Sequence, residues 1–238
     1  KNSSAVKQIL FVGAIKRRKG LKEVIQALKF YQDNFSGNFV FNIVGDYNIK
    51  DPYYLQLKEL INFLQLDSKV IFKNKVADSI LRDFYAQADL FLMTPIKEGS
   101  NFEGFGLVYL EANACGVPCV GSKNSGAEEA VLDGQTGYLV DPTLVQDVAT
   151  KIDLILNKQT INPEACIDWA KQNGVGFSEF ITLGNKAVLS ENDILRYWLN
   201  RPKKQSSRKG FSNYRPVGIY LESLEGGKDF LKLISEDG

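Results

Sequence analysis

Apolar residues along this chain gather into short runs, and the segments between the runs carry helical spacing. Gln8-Ile-Leu-Phe-Val-Gly13, residues 38–45, residues 69–73 and Asp89-Leu-Phe-Leu-Met-Thr94 are near-continuous apolar runs, the pattern of strands buried on both faces. Residues 21–30 carry Leu21, Val24, Ile25 and Leu28 at helical spacing, and residues 51–66 carry Leu55, Leu57, Leu60, Ile61 and Leu64, so both are predicted helices. Residues 80–88 and 107–114 are predicted helices as well, and Gly116 suits the left-handed cap that ends the second. A strand is expected to start at 117–120, a loop and short helix at 121–129, and a turn with a last small strand at 134–141. Strands alternating with helices predict an α/β fold with a doubly wound parallel sheet. Such sheets take ligands beyond the carboxyl ends of their strands, and the loops that follow the strands fall on that rim.

Composition narrows the function. The chain has 238 residues, enough for one large domain or two small ones, with 44% hydrophobic and 24% charged residues, as in soluble globular proteins. Twenty-nine basic against 28 acidic residues leave a net charge of +1, which argues against nucleic acid as a partner. The chain contains no histidine, so a Ser-His-Asp triad and a histidine-ligated metal are excluded within it. Cys115, Cys119 and Cys166 have no metal-site spacing and imply reduced thiols and a cytoplasmic location. No apolar stretch approaches the ~20 residues of a membrane span, and the Lys1-Asn-Ser-Ser start is read as lacking a signal peptide.

The stretch with the most chemistry is residues 98–121. A glycine-rich loop with Glu103, Gly104 and Gly106 leads from the run at 89–94 into the helix at 107–114. Amide groups free at a helix start favour an anion such as phosphate. Glu111 sits among Leu107, Val108, Leu110 and Ala112, and a buried carboxylate is costly unless hydrogen-bonded. With Glu103 on the loop and Glu111 two turns inside the helix, both can face one cleft and flank a ligand that carries phosphate and hydroxyls. The other reading makes Glu111 a partly exposed helix residue and the glycines turn formers. After the first strand, Ala14-Ile-Lys-Arg-Arg-Lys-Gly20 gathers four cations, either a phosphate grip or a solvated basic turn. No dinucleotide fingerprint follows that strand.

Glu103-Gly-Phe-Gly-Leu-Val-Tyr-Leu-Glu111, continued by Ala-Asn-Ala-Cys-Gly-Val-Pro, closely resembles the signature of family 4 retaining glycosyltransferases of GT-B fold. The resemblance runs from about residue 8 to 157. It implies a Rossmann-like donor domain at 1–160 that binds a nucleoside-diphosphate sugar as substrate, with no further cofactor. It implies Lys19 and Gly13 at the diphosphate, Glu103 at the transferred sugar, Glu111 at the ribose hydroxyls, and the amides of Phe105, Gly106 and Leu107 at sugar and phosphate; Glu103 and Lys19 are the implied catalytic residues. The family's arginine position is Ala14 here, a departure for which Arg17 or Arg18 is the candidate substitute. Gly126 and Glu129 match a later Gly-x-x-Glu loop, either a ligand contact or an ordinary turn. Residues 73–76 fall where the family cradles the base, mostly by backbone. A complete GT-B enzyme adds an N-terminal acceptor domain, expected to be absent here, so this half is expected to be inactive alone, with its acceptor unknown.

From about residue 165 the sequence resembles part of the ligase domain, flavodoxin-like in fold, of NDP-forming acyl-CoA synthetases. The resemblance rests on Ile167-Asp-Trp-Ala-Lys-Gln-Asn-Gly-Val-Gly176 and its continuation to Lys186, on residues 190–198, and on Gly218-Ile-Tyr-Leu-Glu222. Strands are predicted at 177–183 and 217–221, and helices from Ser190 and at 228–234. Gly184 and Asn185 are read as structural, with ligand contact the alternative, and residues 203–210 as a solvated basic insertion, with a phosphate site the alternative. Residues 161–238 are thus expected to be a partial flavodoxin-like segment packed on or extending the first sheet. Two resemblances meeting near 158–165 imply a chimera, engineered or recombinant, or a misassembled reading frame. A non-catalytic scaffold and a CoA-ligase fragment are the alternatives to a donor half.

Overall fold

The computed structural model describes residues 6–35, 37–96 and 106–175. Glu103, Phe105 and every element expected beyond residue 175 lie outside the described residues.

Six strands form one parallel sheet: β1 (Lys7–Val12), β2 (Phe39–Val44), β3 (Val70–Lys73), β4 (Leu90–Leu92), β5 (Cys119–Ser122) and β6 (Gly137–Val140). Their order is β3-β2-β1-β4-β5-β6. The helices are α1 (Leu21–Phe35), α2 (Pro52–Phe63), α3 (Asp78–Gln87), α4 (Leu107–Ala114), α5 (Ala127–Ala130), α6 (Val145–Leu156) and α7 (Pro163–Gln172). The chain winds outward from β1 to β3, returns through α3 to β4 beside β1, and winds the other way to β6. The direction reverses between β1 and β4, which is the topological switch point where doubly wound sheets hold ligands.

Burial on both faces explains the apolar runs: Ile9, Phe11, Phe41, Ile43, Leu90, Phe91, Leu92 and Val120 are all 0% exposed. One face bears Phe39, on which Tyr31 of α1 packs at 6.1 Å, and α1 packs in turn on α2 and α6. The other bears Phe91, which meets Tyr109 of α4 edge-on at 5.3 Å and Tyr85 of α3 at 6.1 Å. α7 joins this second layer against α4, and its Trp169 Nε1 donates to the Ala130 carbonyl at 2.9 Å.

The strands and α1 to α5 stand where the hydrophobic pattern predicts them, with ends shifted by a few residues. α6 and α7 go beyond that prediction. The four-cation loop also contains a 3-10 turn, Arg17–Lys19, closed by Gly20 at φ 74°. No helix among the described residues is long and apolar enough to cross a membrane.

Candidate ligand site

The site is built from the loops that leave β1, β4 and β5. After β1, the Gly13 and Ile15 amides donate to the Val44 and Asp46 carbonyls at 2.9 and 3.1 Å, which ties this loop to the end of β2. The 3-10 turn then folds Lys19 inward until only 9% of it is exposed. Its side chain lies along Gly13: a Cβ built there would stand 3.7 Å from Lys19 Cε and 3.8 Å from Nζ. A compact ammonium is thereby held at the carboxyl end of the central strand.

The loop after β4 closes on the same turn. The Ile96 amide donates to the Arg18 carbonyl at 2.9 Å. Gly20 approaches so closely that a Cβ would overlap the Thr94 carbonyl oxygen, and its positive φ further favours glycine. Two hydroxyls fix the neighbouring carbonyls: Tyr109 Oη donates to Met93 O and Ser122 Oγ to Pro95 O, each at 2.6 Å. The start of α4 and the end of β5 are thus tied to the end of β4.

Gly106 caps α4 in a left-handed conformation, and its carbonyl accepts from the Tyr109 amide at 2.9 Å. A Cβ on Gly106 would stand 3.5 Å from the Gly126 carbonyl, so the entries of α4 and α5 meet. Leu107, the first helical residue, is 43% exposed, and the first-turn amides of α4 lie at the carboxyl end of the sheet.

Glu111 lies on the next turn of α4, half-buried. Its Oε2 accepts from Tyr85 Oη at 2.7 Å. Burial pushes the carboxyl above the ordinary glutamate range, the bond from Tyr85 pulls it back, and the charge of Asp78 pushes it up. The Tyr85 phenol is driven well up, first by burial and then by Glu111.

The remaining sequence-predicted residues divide clearly. Gly126 is buried at the entry of α5, whereas Glu129 is exposed. Arg17 is turned onto α2, with its guanidinium 2.9 Å from Gln56 Oε1 and 5.1 Å from the Tyr53 ring centre. Arg18 is half-buried. Ala14 lines a cavity of about 150 Å³ with Asp46, Tyr47 and Tyr54. Lys73, Asn74 and Lys75 are exposed where β3 ends. The structure therefore brings Gly13 to Lys19 and Gly106 to Gly126, and gives Glu111 a partner, Tyr85, that the sequence reading did not name. One signal was available: a carboxylate inside an apolar helix requires a donor, and tyrosine supplies one from within a core.

Taken together, the described residues are an α/β domain whose doubly wound sheet gathers these loops at its switch point. Residues 2–173 match the family model for glycosyl transferases group 1, and the chain belongs to that family. Residues 163–236 match the succinyl-CoA ligase like flavodoxin domain, so the two matches overlap within α7. A GDP-mannose-dependent alpha-(1-6)-phosphatidylinositol monomannoside mannosyltransferase of Mycolicibacterium smegmatis is 39% identical over 107 residues, 44% of this chain and 28% of the relative. The N-acetyl-alpha-D-glucosaminyl L-malate synthase of Bacillus anthracis is 31% identical over 153 residues, 63% of this chain and 37% of the relative. The chain thus spans well under half the length of either relative. Among solved structures, Anabaena HepE in complex with UDP and glucose aligns with a TM-score of 0.60 at 26% identity, covering 75% of this chain and 46% of that one. The C-terminal domain of the group 1 glycosyl transferase LpcC of Francisella tularensis aligns at 0.58 and 26%, covering 70% of this chain and 85% of that domain. The fold is the Rossmann-like C-terminal half of the GT-B architecture.

Proposed function

We propose that this chain binds a nucleoside-diphosphate sugar at the β1–β4 switch point and is the donor half of a retaining glycosyltransferase. The observation that carries the reading is the closure of the loop after β4 on the turn after β1. Ile96 is bonded to Arg18, and Lys19 is buried against Gly13 in the same turn. In this reading Lys19 pairs with the diphosphate, and Gly13, having no side chain, lets the phosphates approach. The amides of Phe105, Gly106 and Leu107 meet sugar and phosphate, Glu103 contacts the transferred sugar, and Gly126 adds backbone beside Gly106. Glu111 accepts the ribose hydroxyls. Charge developing on the departing diphosphate is stabilised by the fixed cation and amides. The acceptor attacks on the face the diphosphate leaves, with no protein nucleophile required. Three free thiols fit a cytoplasmic setting.

These donor contacts are local to the loops. Transfer also needs an acceptor oxygen held near the anomeric carbon, positioning worth roughly 7–11 kcal/mol of the barrier. On this reading residues 2–173 form the donor wall, and donor binding without sustained transfer is what we expect of them by themselves. A second reading, an α/β chimera with no catalytic function, is favoured by the overlap of two family matches at residues 163–173.

Thermal unfolding and calorimetry with UDP, GDP and ADP separate the two readings. The donor-half reading expects one nucleotide to raise the melting temperature by linkage. It also expects Lys19→Ala to cost about tenfold or more in affinity for the diphosphate while hardly changing affinity for the nucleoside. No shift with any of the three nucleotides at millimolar concentration would leave the chimera reading standing. Incubation with nucleotide-sugars and a panel of sugar and lipid acceptors, followed by mass spectrometry, should find no multiple-turnover product.

A further inference from the structure

Glu111 is set in place by a residue outside the glycine-rich stretch. Tyr85 comes from α3, is 0% exposed, and donates its phenol to Glu111 Oε2 at 2.7 Å. Its ring rests on Phe91 at 6.1 Å, and Phe91 is itself held edge-on by Tyr109 of α4 at 5.3 Å. A ring walled in this way keeps one position. The glutamate it meets is the opposite case, a flexible side chain that loses rotamer freedom when it is ordered. We infer that Tyr85 is a positioning residue: its hydroxyl fixes the Glu111 carboxylate before ligand arrives, leaving the other lone pairs for the two ribose hydroxyls.

This rests on the assignment of Glu111 to the ribose made above. The valence fits. An ionised carboxylate offers about four acceptor positions, of which Tyr85 takes one and two ribose hydroxyls take two more. The sign fits as well, because a neutral donor opposes the burial that pushes the carboxyl toward protonation. Among the described residues, the charged or titratable groups that act on the pair are Asp78 at the start of α3, Cys115 at the end of α4 and Cys119 on β5. None of these three supplies a positive charge, whereas the bond from the Tyr85 hydroxyl opposes protonation. Ordering an acceptor in advance removes a cost that binding would otherwise bear. The rival account is a core tyrosine that uses Glu111 only to satisfy its own phenol. It predicts altered stability and no change in ligand preference.

The experiment is calorimetry on the full chain with UDP, GDP and ADP and their 2′,3′-dideoxy counterparts, for wild type, Tyr85→Phe, Glu111→Gln and the double variant. Tyr85→Phe keeps the ring and removes only the hydroxyl, and its thermal unfolding is recorded alongside. Wild type should prefer the ribonucleotide. Tyr85→Phe should lose about fivefold in ribonucleotide affinity while dideoxy affinity stays within about twofold. In the Glu111→Gln background the same change should leave the ribose preference where it was. The ribonucleotide-minus-dideoxy difference, which cancels phosphate titration, should fade at a higher pH in Tyr85→Phe than in wild type as pH falls. Equal losses for both ligands, or no loss, would overturn the inference while the donor site stands. Wild-type binding without ribose preference would overturn the Glu111 assignment and the inference with it, and no binding at all would overturn the donor-site reading itself.

Discussion

Under the donor-half proposal, Glu111 sets function and stability in opposition within one side chain. Its carboxyl is raised above the ordinary range chiefly by burial, so the folded chain holds that proton more tightly than the unfolded chain does. The contribution to stability is therefore fully present below the unfolded value and is lost as pH rises through the folded one. Glu111→Gln, which mimics the protonated form, should melt higher than wild type at neutral pH. The gain should shrink to nothing as pH falls to the ordinary carboxylate value, and melting curves across that range measure it. A gain that stayed constant with pH would mean that titration of Glu111 is not its source. The pairing itself was hidden from the sequence. Tyr85 and Glu111 are 26 residues apart and on different helices, and spacing within one helix says nothing of a contact between two. The burial of Lys19 was hidden for the same reason, because it depends on Gly20 reaching Thr94 from across the switch point.

Among the elements, α4 shows the clearest agreement between sequence and structure. Gly116, expected as its cap, has φ 73° and donates to the Asn113 carbonyl at 2.8 Å, and Val117 donates to Ala112 O at 3.0 Å. That pair of bonds is the Schellman arrangement. Gly116→Ala would force an L side chain into the left-handed region and set its Cβ 3.4 Å from Pro163 Cβ of α7. The expected cost is about 1–2 kcal/mol, read as a lower urea midpoint at unchanged slope. The strands were legible because a strand buried on both faces needs an apolar run. α6 was not, although Val148, Ala149, Ile152, Ile155 and Leu156 form its buried face. Its first residue, Val145, follows Leu144, which offers no side-chain cap, so the pattern carries no start signal. α7 has such a signal, Asn162 accepting from the Glu164 amide at 2.9 Å ahead of Pro163. Its residues were read through the second resemblance, which the family match at 163–236 supports, and the structure seats them on α4.

At the scale of the whole sheet, the two directions of winding meet at the β1–β4 seam, and β4 pairs over two residues with each neighbour. β1 and β2 are in register over six residue pairs, from Lys7↔Phe39 to Val12↔Val44, whereas β1 and β4 share two, Ile9↔Leu90 and Leu10↔Phe91. Of the loops at the candidate site, the one after β1 belongs to one half and those after β4 and β5 to the other, and the Ile96–Arg18 bond joins the halves across that seam. Each half can form its own βαβ contacts early, but the pairing of β1 with β4 spans some eighty residues of chain and carries the larger loop-closure cost. The candidate site is therefore expected to form late in folding. If the donor-half proposal holds, a nucleotide bound there would act as a staple fitted after assembly, stabilising the native state and not the folding transition state. Stopped-flow mixing should show a saturating nucleotide slowing the unfolding limb in proportion to the stability it adds, with the refolding limb unmoved. Under the donor-half proposal, a donor nucleotide would lengthen the life of the folded state without quickening its formation.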